Sequence, residues 1–227
     1  MACSCASVTD ATARFFDERR VGEELATYRR TGPRATTRGL LGELAAAGPV
    51  PETLLDIGSG IGALTLGMLE AGVRHAVCVD MSPASLAASA EEARRQGVAG
   101  RIEWVEGDFV AVAATVPAAD VVALDRVVCC YPAYAPLLEQ AAAHSRRLLA
   151  MSYPRDRWWV RLALRAENAW RRLRGDGFRA FVHPPQAMAD LLQRHGFARA
   201  RAASTWTWQI EVYTRLGPGP REHEPRP

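Results

Sequence analysis

The chain has 227 residues, of which 48% are hydrophobic and 23% are charged, a composition typical of a globular protein with enough apolar side chains for one sizeable core. All 28 basic residues are arginines, and the absence of lysine excludes Schiff-base, P-loop and kinase-type lysine chemistry from this chain. A formal net charge of +3 gives little support to a nucleic-acid partner.

The N-terminal part of the chain is predicted to be helical. Between residues 9 and 47, apolar side chains recur at three- and four-residue steps, the spacing of one helix face. The segment RRTGP at residues 29–33 interrupts this pattern, and Pro33 suits the first turn of a second helix.

After residue 50, short apolar strands alternate with helices, which is typical of a doubly wound α/β sheet. The predicted strands are 53–57, 75–79, 101–105, 119–124 and 147–152. The predicted helices are 62–71, 83–96, 132–143, 157–173 and 185–194. Two closely spaced segments rich in β-branched and aromatic residues, 197–206 and 208–215, are predicted to form a closing antiparallel hairpin.

This pattern divides the chain into three regions. We expect residues 1–50 to form a helical lid and residues 51–216 to form the core domain. The last residues, 217–227, consist of glycine, proline and charged side chains that cannot build a core, and we expect a disordered tail there.

A glycine-rich loop follows the first predicted strand. The sequence LLDIGSGIG, from Leu54 to Gly62, leads a strand into a G-x-G-x-G turn, where a ligand can approach backbone N–H groups. The spacing differs from the G-x-G-x-x-G of dinucleotide sites, and Asp56 stands two residues before the first glycine. A carboxylate there would repel a pyrophosphate but would suit a ligand with an ammonium and a sulfonium. These features point to S-adenosylmethionine (SAM) and disfavour an NAD-dependent oxidoreductase.

Acidic residues stand at or just after the ends of the next three predicted strands. Asp80 ends VCVD 20 positions after Gly60, where a carboxylate can accept from both ribose hydroxyls, and Met81 can lie against the adenine face. Asp108 follows the third strand and can accept from the adenine amino group. Asp125 ends the fourth strand, in the crevice where open α/β sheets bind ligands.

The motifs LLDIGSGIG, VCVDMS, EGDF and VVALDRV, within about residues 53–130, resemble the successive motifs of class I SAM-dependent methyltransferases. The resemblance implies a Rossmann-like α/β fold with a seven-stranded, mostly parallel sheet and an antiparallel last strand. The segments YRRTGPRATTR, LDRVVCCYP and YPRDRWW are similar to those of small bacterial methyltransferases, with a weaker likeness to magnesium-protoporphyrin O-methyltransferases. Because these motifs concern the cofactor and not the acceptor, the substrate does not follow from them.

The predicted cofactor site joins the N-terminal segment to the glycine loop and the strand ends. Arg30 is the expected partner of the cofactor carboxylate, because a guanidinium matches a carboxylate through two hydrogen bonds; a solvated helix face is the alternative. The expected cofactor-binding residues are Tyr28, Arg30, Asp56, Ile57, Gly58, Ser59, Gly60, Asp80, Met81, Gly107, Asp108, Phe109, Asp125 and Arg126.

The methyl acceptor is expected beside the ends of the fourth and fifth strands. The expected catalytic residues are Asp125, His183 and Tyr131; if the acceptor is a hydroxyl, Asp125 or His183 can take its proton. Further expected lining residues are Arg126, Tyr153, Arg155, Arg157, Trp158 and Trp159, since aromatic and arginine side chains hold flat or anionic molecules.

Two cysteine pairs leave a second interpretation open. Cys3 and Cys5 near the start, and Cys129 and Cys130 after the fourth strand, could meet and bind a soft metal or a metalloid. We favour an unstructured N-terminal pair and a buried pair at a strand end, because vicinal cysteines chelate one ion poorly. No metal site is therefore predicted.

Taken together, the sequence predicts a SAM-dependent methyltransferase that acts on a small molecule, with O- or N-methylation favoured over C-methylation. The alternatives are a thiol or metalloid methyltransferase that uses the cysteine pairs, and a catalytically silent SAM-binding protein. An odd number of cysteines, and apolar runs shorter than the roughly 18 residues of a membrane span, favour a cytoplasmic monomer or homodimer. Neither a membrane nor a nucleic acid is expected as a partner.

Overall fold

The computed structural model describes residues 11, 12 and 14–217. Cys3, Cys5 and residues 218–227 of the predicted tail lie outside the described residues. The helices are α1 (Glu18–Thr31), α2 (Ala35–Ala45), α3 (Ala63–Glu70), α4 (Pro83–Arg95), α5 (Phe109–Val112), α6 (Tyr134–His144), α7 (Trp158–Leu173) and α8 (Pro185–Arg194). The strands are β1 (Thr53–Ile57), β2 (His75–Asp80), β3 (Ile102–Glu106), β4 (Ala119–Asp125), β5 (Ser145–Pro154), β6 (Phe197–Ser204) and β7 (Trp208–Arg215).

The seven strands form one sheet in the order β3-β2-β1-β4-β5-β7-β6. The pairs among the first five are parallel, whereas β7 runs antiparallel to both β5 and β6. This arrangement confirms the predicted α/β fold with an antiparallel last strand. Within the described part of the chain, no helix combines the length and hydropathy needed to cross a bilayer.

Successive residues of each strand supply two apolar layers, one on either face of the sheet. In β1, Leu54 packs into the layer that also holds Leu40 and Val212, whereas Leu55 packs into the layer with Leu124 and Leu149. Side chains of a strand point alternately to opposite faces, so an unbroken apolar strand indicates burial on both sides. Helices therefore cover both faces, and the polar strand ends remain for a site.

The N-terminal helices differ from the prediction in their boundaries. A break at Phe16 and Asp17 precedes α1, and the Asp17 side chain caps the helix by accepting from the Arg20 N–H at 2.9 Å. Gly32 ends α1 in a left-handed conformation, with φ 75°. The chain then stays extended through Arg34, so α2 begins two residues after Pro33, which does not open it.

The fifth strand is longer than predicted. Its predicted range of 147–152 extends in the structure to Ser145–Pro154, because β5 pairs with β4 on one side and with β7 on the other. The extension at the carboxyl end carries Pro154 to the edge of the site described below.

Candidate functional site

A cavity of about 590 Å³ opens at the carboxyl ends of β1, β2 and β4. It lies where the strand order reverses between β1 and β4, the position at which open α/β sheets bind ligands. Its volume falls within the roughly 300–1,000 Å³ of small-molecule sites. One wall comes from the N-terminal helices and another from α7.

The glycine loop between β1 and α3 needs glycine for two different reasons. Gly58, with φ 64°, is pressed against Val127, and a Cβ there would lie 2.5 Å from a Val127 methyl carbon. Gly60, with φ 54°, would have no heavy atom within 4 Å of a Cβ. The backbone at Gly60 is therefore bare toward the cavity, and a ligand can approach it closely.

The backbone N–H groups of this loop are bound within the protein. Gly58 and Ser59 donate to the Val79 carbonyl at 2.7 and 3.2 Å, and Gly60 donates to Oδ2 of Asp80 at 2.8 Å. These three N–H groups are therefore already bonded, and the predicted approach of a ligand to backbone N–H groups at the N-terminus of α3 stays a prediction. Their hydrogen bonds fix the loop to β2, and the surface open to a ligand is the bare backbone of Gly60 beside Asp80.

Asp56 is fully enclosed beneath the loop. Thr65 donates to its carboxylate at 2.7 Å, and burial raises the pKa of Asp56 to about 7, with nearby Asp125 and Asp80 adding to the rise. A cationic ligand in the cavity would favour the ionised form. The site therefore suits the positively charged ligand expected from the sequence.

Asp125 is held between two hydroxyl donors. Thr37 of α2 and Ser152 of β5 each donate to a different oxygen of its carboxylate, both at 2.5 Å. This links the N-terminal helices to the strand ends beneath the cavity. Sequence reasoning did not assign a role to Thr37 or Ser152, because hydroxyls so distant in the chain carry no motif.

Tyr28 and Arg30 do not line the cavity, which corrects the predicted N-terminal contacts. The cavity side of α1 carries Arg20, Glu23, Glu24 and Thr27, at the i, i+3, i+4, i+7 spacing of one helix face. Tyr28 lies off this face and packs against the apolar core, and Arg30 is exposed. The basic residue of this region that reaches the cavity from the α2 N-terminus is Arg34, which pairs with Glu24 at 3.0 Å.

The predicted adenine end is present only in part. Met81, Gly107 and Phe109 line the cavity, as do Ile57 and Ser59 of the loop. Asp108 does not: it caps α5 by accepting from the Val110 N–H at 3.0 Å, and burial raises its pKa. Its role toward the adenine amino group stays a prediction.

His183 is also outside the cavity lining. Its Nε2 lies 2.9 Å from the carbonyl oxygen of Tyr131 and 3.1 Å from that of Val128. A nitrogen facing two carbonyls must carry the proton and donate, so this nitrogen cannot act as a base. Burial lowers the pKa of His183, and the neutral ring holds the segment after β4 in place.

Two buried donors of the cavity lining have no hydrogen-bond partner among the described residues. The Nε of Arg126 and the hydroxyl of Tyr131 are buried and have no hydrogen-bond partner, and both residues line the cavity. Arg126 is the single non-glycine residue with positive φ, at 65°, in the described chain, and its guanidinium lies 5.0 Å from the Trp208 ring centre. Trp208, the first residue of the second predicted hairpin segment, thus forms part of the site.

The second cysteine pair lies on the same wall. Cys129 and Cys130 line the cavity with their sulfurs 3.8 Å apart. The hydrogen bond from Cys129, with the nearby Arg126 charge, lowers the pKa of Cys130, whereas that of Cys129 is raised by the same contact and by burial. Over the described ranges, no three histidine, cysteine or acidic side chains cluster as metal ligands.

Other residues expected on the acceptor side lie elsewhere. Tyr153, Arg155 and Arg157 line a separate cavity of about 270 Å³. Trp158 is exposed, and Trp159 packs on Trp206 with ring centres 5.4 Å apart. The order of the motifs along the chain predicted where the first cavity lies. It did not show that Tyr153, Arg155 and Arg157 belong to a second one.

Comparison with known proteins finds a family match over part of the chain. Residues 54–151 match the family model described as "Methyltransferase domain". A release factor glutamine methyltransferase from Cereibacter sphaeroides is 40% identical over 99 residues, which are 40% of this chain and 35% of that protein. The chain thus spans about a third of the length of this curated relative.

Solved structures share the fold over most of the chain. The magnesium protoporphyrin IX methyltransferase from Synechocystis PCC 6803 with bound S-adenosylhomocysteine (SAH) has a TM-score of 0.66 at 20% identity, covering 79% of this chain and 82% of that one. The same protein is also solved with bound SAM. An O-methyltransferase family protein from Burkholderia thailandensis has a TM-score of 0.61 at 18% identity, covering 80% of this chain and 57% of that one. The family match and the shared fold confirm the resemblance to class I SAM-dependent methyltransferases, and the SAH and SAM bound to the Synechocystis protein agree with the cofactor expected from the sequence.

Proposed function

We propose, from the premise that residues 54–151 form a class I methyltransferase domain, that this chain transfers the methyl group of SAM to a small molecule carrying an anionic oxygen. The observation that carries the proposal is the continuity of the cavity. It runs from the glycine loop and Asp80 past Asp125 to the partnerless donors of Arg126 and Tyr131. A silent SAM-binding protein has no need of such space beyond the cofactor.

The residues present fit SAM. Asp80, beside the bare backbone of Gly60, can accept from the ribose hydroxyls, and Met81 and Phe109 line the cavity as apolar neighbours for the adenine. Asp56 and Asp125 supply negative charge for the ammonium and sulfonium end. When bound, SAM supplies a methyl group on a sulfonium, whose departure as a neutral thioether makes a strong base unnecessary.

The protein's own contribution is alignment and exclusion of water. Asp125, held by Thr37 and Ser152, keeps one orientation at the junction of the cofactor and acceptor ends. If the acceptor is a hydroxyl, its proton goes to Asp125 as the oxygen lone pair bonds to the methyl carbon. A carboxylate acceptor reacts without proton transfer.

Arg126 and Tyr131 support an anionic acceptor. A buried donor without a partner costs about 1–3 kcal/mol, which is recovered when an oxygen of a ligand accepts from it. The Arg126 guanidinium has no carboxylate partner within the described chain and rests on Trp208, which leaves its charge available to a ligand. A flat or compact oxyanion fits these two donors better than an amine does.

We also propose that residues 1–50 cap the site. Their share of the cavity wall, which includes Phe15, Phe16 and Arg20 ahead of and within α1, supports this role, as does the bond from the Ser82 hydroxyl to the Phe16 carbonyl at 2.7 Å. Deleting residues 1–30 should leave residues 51–216 folded while weakening SAM binding. A truncated protein that binds SAM as tightly as the full chain would contradict the cap.

The test of the function has a cofactor arm and an acceptor arm. Calorimetry should show binding of SAM and SAH and no binding of NAD. Transfer of labelled methyl from SAM is then measured on a panel in which each carboxylate is paired with the neutral alcohol of the same carbon skeleton. Transfer to the anionic members only is expected, with Arg126→Gln raising KM at unchanged SAM affinity. Equal transfer to neutral members would contradict the anionic acceptor.

The cysteine pair favours one alternative acceptor, a thiol or a metalloid. Cys129 and Cys130 face the cavity, and the Cys130 thiol has a lowered pKa. Under this alternative, arsenite or a small thiol accepts the methyl group, and Cys130→Ser abolishes the transfer. Under the anionic-oxygen proposal, the same variant retains transfer to the panel compounds.

A further inference from the structure

Helix α7 carries an apolar face that the fold leaves uncovered. Seven large hydrophobic side chains are exposed in the described part of the chain, and five of them lie on α7 or beside it. They are Trp158 at 77%, Leu162 at 60%, Trp170 at 52%, Leu173 at 87% and Trp206 at 78% exposure. We refer to these five residues as the tryptophan-leucine face.

The face is continuous. At about 100° per residue, the four residues on α7 fall within an arc of about 120°, and Ala166 and Ala169 lie between them. Trp206, at the tip of the β6–β7 hairpin, extends the face through its neighbour Trp159, whose ring centre is 5.4 Å away. The helix has 16 residues, so the face is about 24 Å long.

Arginines border this face along one side. Arg161, Arg165 and Arg172 are exposed and fall on an arc of about 40° next to Trp158, and at the other end Arg174 lies 4.0 Å from the Trp170 ring centre. Residues 156–176 contain six arginines and three acids, and the acids pair with Arg161 and Arg171. Within the described chain, Arg165, Arg172 and Arg174 have no acidic partner, and their positive charge lies beside the tryptophan-leucine face.

We propose that α7 binds the surface of an anionic lipid bilayer, with the tryptophan-leucine face in the interface and the bordering arginines against the headgroups. A strongly amphipathic helix with tryptophan and leucine on one face and arginine beside it is the pattern of helices that lie in the plane of a membrane. Indole rings favour the headgroup level, and each basic residue near an anionic surface adds to the attraction. This binding replaces the expectation that the protein has no membrane partner.

A second copy of the chain fits the same face less well. In a two-fold dimer the same surface meets itself, so the arginine row of one α7 would lie near the arginine row of the other. Asp156 pairs with Arg161 of this row, whereas Glu167 and Asp176 pair with Arg171 on the cavity side, so Arg165 and Arg172 keep no acidic partner within the described chain. An anionic bilayer would neutralise the positive charge of the arginine row. In a dimer, the two arginine rows would repel each other.

The test measures co-sedimentation of the full chain with vesicles of phosphatidylcholine alone and of phosphatidylcholine with phosphatidylglycerol in equal parts. Binding should be at least about tenfold stronger to the anionic vesicles and should weaken with added salt. Trp158→Ala with Leu162→Ala, and separately Arg165→Glu with Arg172→Glu, should each lower this binding by about tenfold or more. Both double variants should keep SAM affinity, which shows that they fold.

Matched controls come from exposed residues far along the chain. Val50→Ala with Leu216→Ala removes two exposed apolar side chains outside the face, and Arg94→Glu with Arg194→Glu reverses two exposed charges on other helices. Both control variants should bind anionic vesicles like the unaltered chain.

Equal binding by all variants, or no binding by the unaltered chain, would overturn the proposal. Self-association in ultracentrifugation that the α7 variants abolish, without vesicle binding, would instead assign the face to a dimer. None of these outcomes depends on the identity of the methyl acceptor.

Discussion

The carboxylate of Asp80 accepts a hydrogen bond from the backbone N–H of Gly60 at 2.8 Å, so the acid at the end of β2 holds the glycine loop that follows β1. Its other oxygen accepts from the Ser82 N–H at 2.8 Å. A carboxylate has about four acceptor positions, and positions therefore remain for the ribose hydroxyls. One side chain thus fixes the loop and offers a contact to the cofactor.

Replacing Asp80 with alanine should weaken SAM binding by about 1.5–3 kcal/mol, because the ribose hydroxyls lose a charged acceptor and the loop loses its anchor. Calorimetric titration with SAM measures the change. Asp120→Ala is the matched control, since Asp120 also accepts from backbone N–H groups, at Glu52 and Thr53, but at the amino ends of the strands, away from the cavity. The control variant should keep SAM affinity, and unchanged affinity in Asp80→Ala would remove Asp80 from the ribose role.

Asp56 should make the folding stability and the SAM affinity depend on pH. Its pKa is about 7 in the folded protein against a usual 3.8, so between about pH 4 and 7 the folded state holds a proton that the unfolded chain has released. The free energy of unfolding therefore falls as pH rises through this window, by a few kcal/mol at about 1.4 kcal/mol per pKa unit. Asp56→Asn should remove this part of the slope in denaturant titrations at pH 5 and 8.

SAM should release the same proton. Because a cationic ligand favours ionised Asp56, binding at pH 6 should displace a proton, detected as a dependence of the calorimetric enthalpy on the ionisation enthalpy of the buffer. Asp56→Asn should show no such dependence. If Asp56→Asn keeps the pH slope of the free energy of unfolding and the buffer dependence of the binding enthalpy, another group is responsible for both.

Variants of the neighbouring Arg29 and Arg30 distinguish a structural role of this segment from the predicted role in cofactor binding. Arg29 binds Glu91 at 2.7 Å and Glu92 at 2.8 Å, which ties α1 to α4, whereas Arg30 is exposed and outside the cavity lining. Arg29→Ala should lower the urea midpoint, and Arg30→Ala should leave both the midpoint and the SAM affinity unchanged. A loss of SAM affinity in Arg30→Ala alone would restore Arg30 as the partner of the cofactor carboxylate.

The salt bridge between Arg29 and Glu92 should also make the free energy of unfolding depend on pH. Hydrogen bonds from Arg95, Gln96 and Arg29 lower the pKa of Glu92 to about 2. A lowered pKa stabilises the fold above the usual value near 4.5 and loses that stabilisation as the pH falls toward 2. Arg29→Ala should therefore reduce the difference in stability between pH 7 and pH 3, while Arg30→Ala should not.

The strands and the cofactor end of the site were predictable because each depends on local sequence. An apolar run that ends in glycine or an acid, repeated along the chain, determines both the strand and the position of its polar end, as at Asp56, Asp80 and Asp125. Long-range contacts gave no such signal. Thr37 donates to Asp125 from 88 positions away, so this support of the Asp125 carboxylate could not be inferred from spacing. The Nε2 of His183 lies near carbonyls 52 and 55 positions away. Spacing therefore did not show that this nitrogen is unsuitable as a base.

Helix faces limited the prediction in the same way. The tyrosine and arginine pattern around residue 30 indicated a basic segment before the glycine loop. The face of α1 that meets the cavity depends, however, on how Val21 and Leu25 pack in one cluster with Ile61 of the glycine loop and with Ala84 and Ala88 of α4. A shift of one or two positions along α1 turns a side chain from the cavity to solvent. The break at Asp17 determines where α1 begins and therefore which of its residues face the cavity. The sequence pattern alone did not locate this break.

The cysteines should behave as a reactive thiol beside the acceptor and not as a metal site. With iodoacetamide, Cys130 should be alkylated faster than Cys129, because the hydrogen bond from Cys129 and the Arg126 charge lower the Cys130 pKa. SAH should slow the reaction by narrowing the cavity, and Arg126→Gln should slow it by removing the charge; peptide mass spectrometry measures both. Faster reaction at Cys129 would contradict this assignment.

The N-terminal pair provides the matching test. Cys3→Ser with Cys5→Ser should change neither the metal content nor the turnover, because closing an N-terminal pair onto Cys129 and Cys130 would cost the entropy of ordering that segment. Within the described residues, Cys129 and Cys130 have no third metal-ligating side chain beside them, and two vicinal sulfurs hold one ion poorly. If the purified protein carries stoichiometric zinc, or binds arsenite in a way that the double variant abolishes, the four thiols form a site. The thiol or metalloid acceptor would then replace the anionic oxygen.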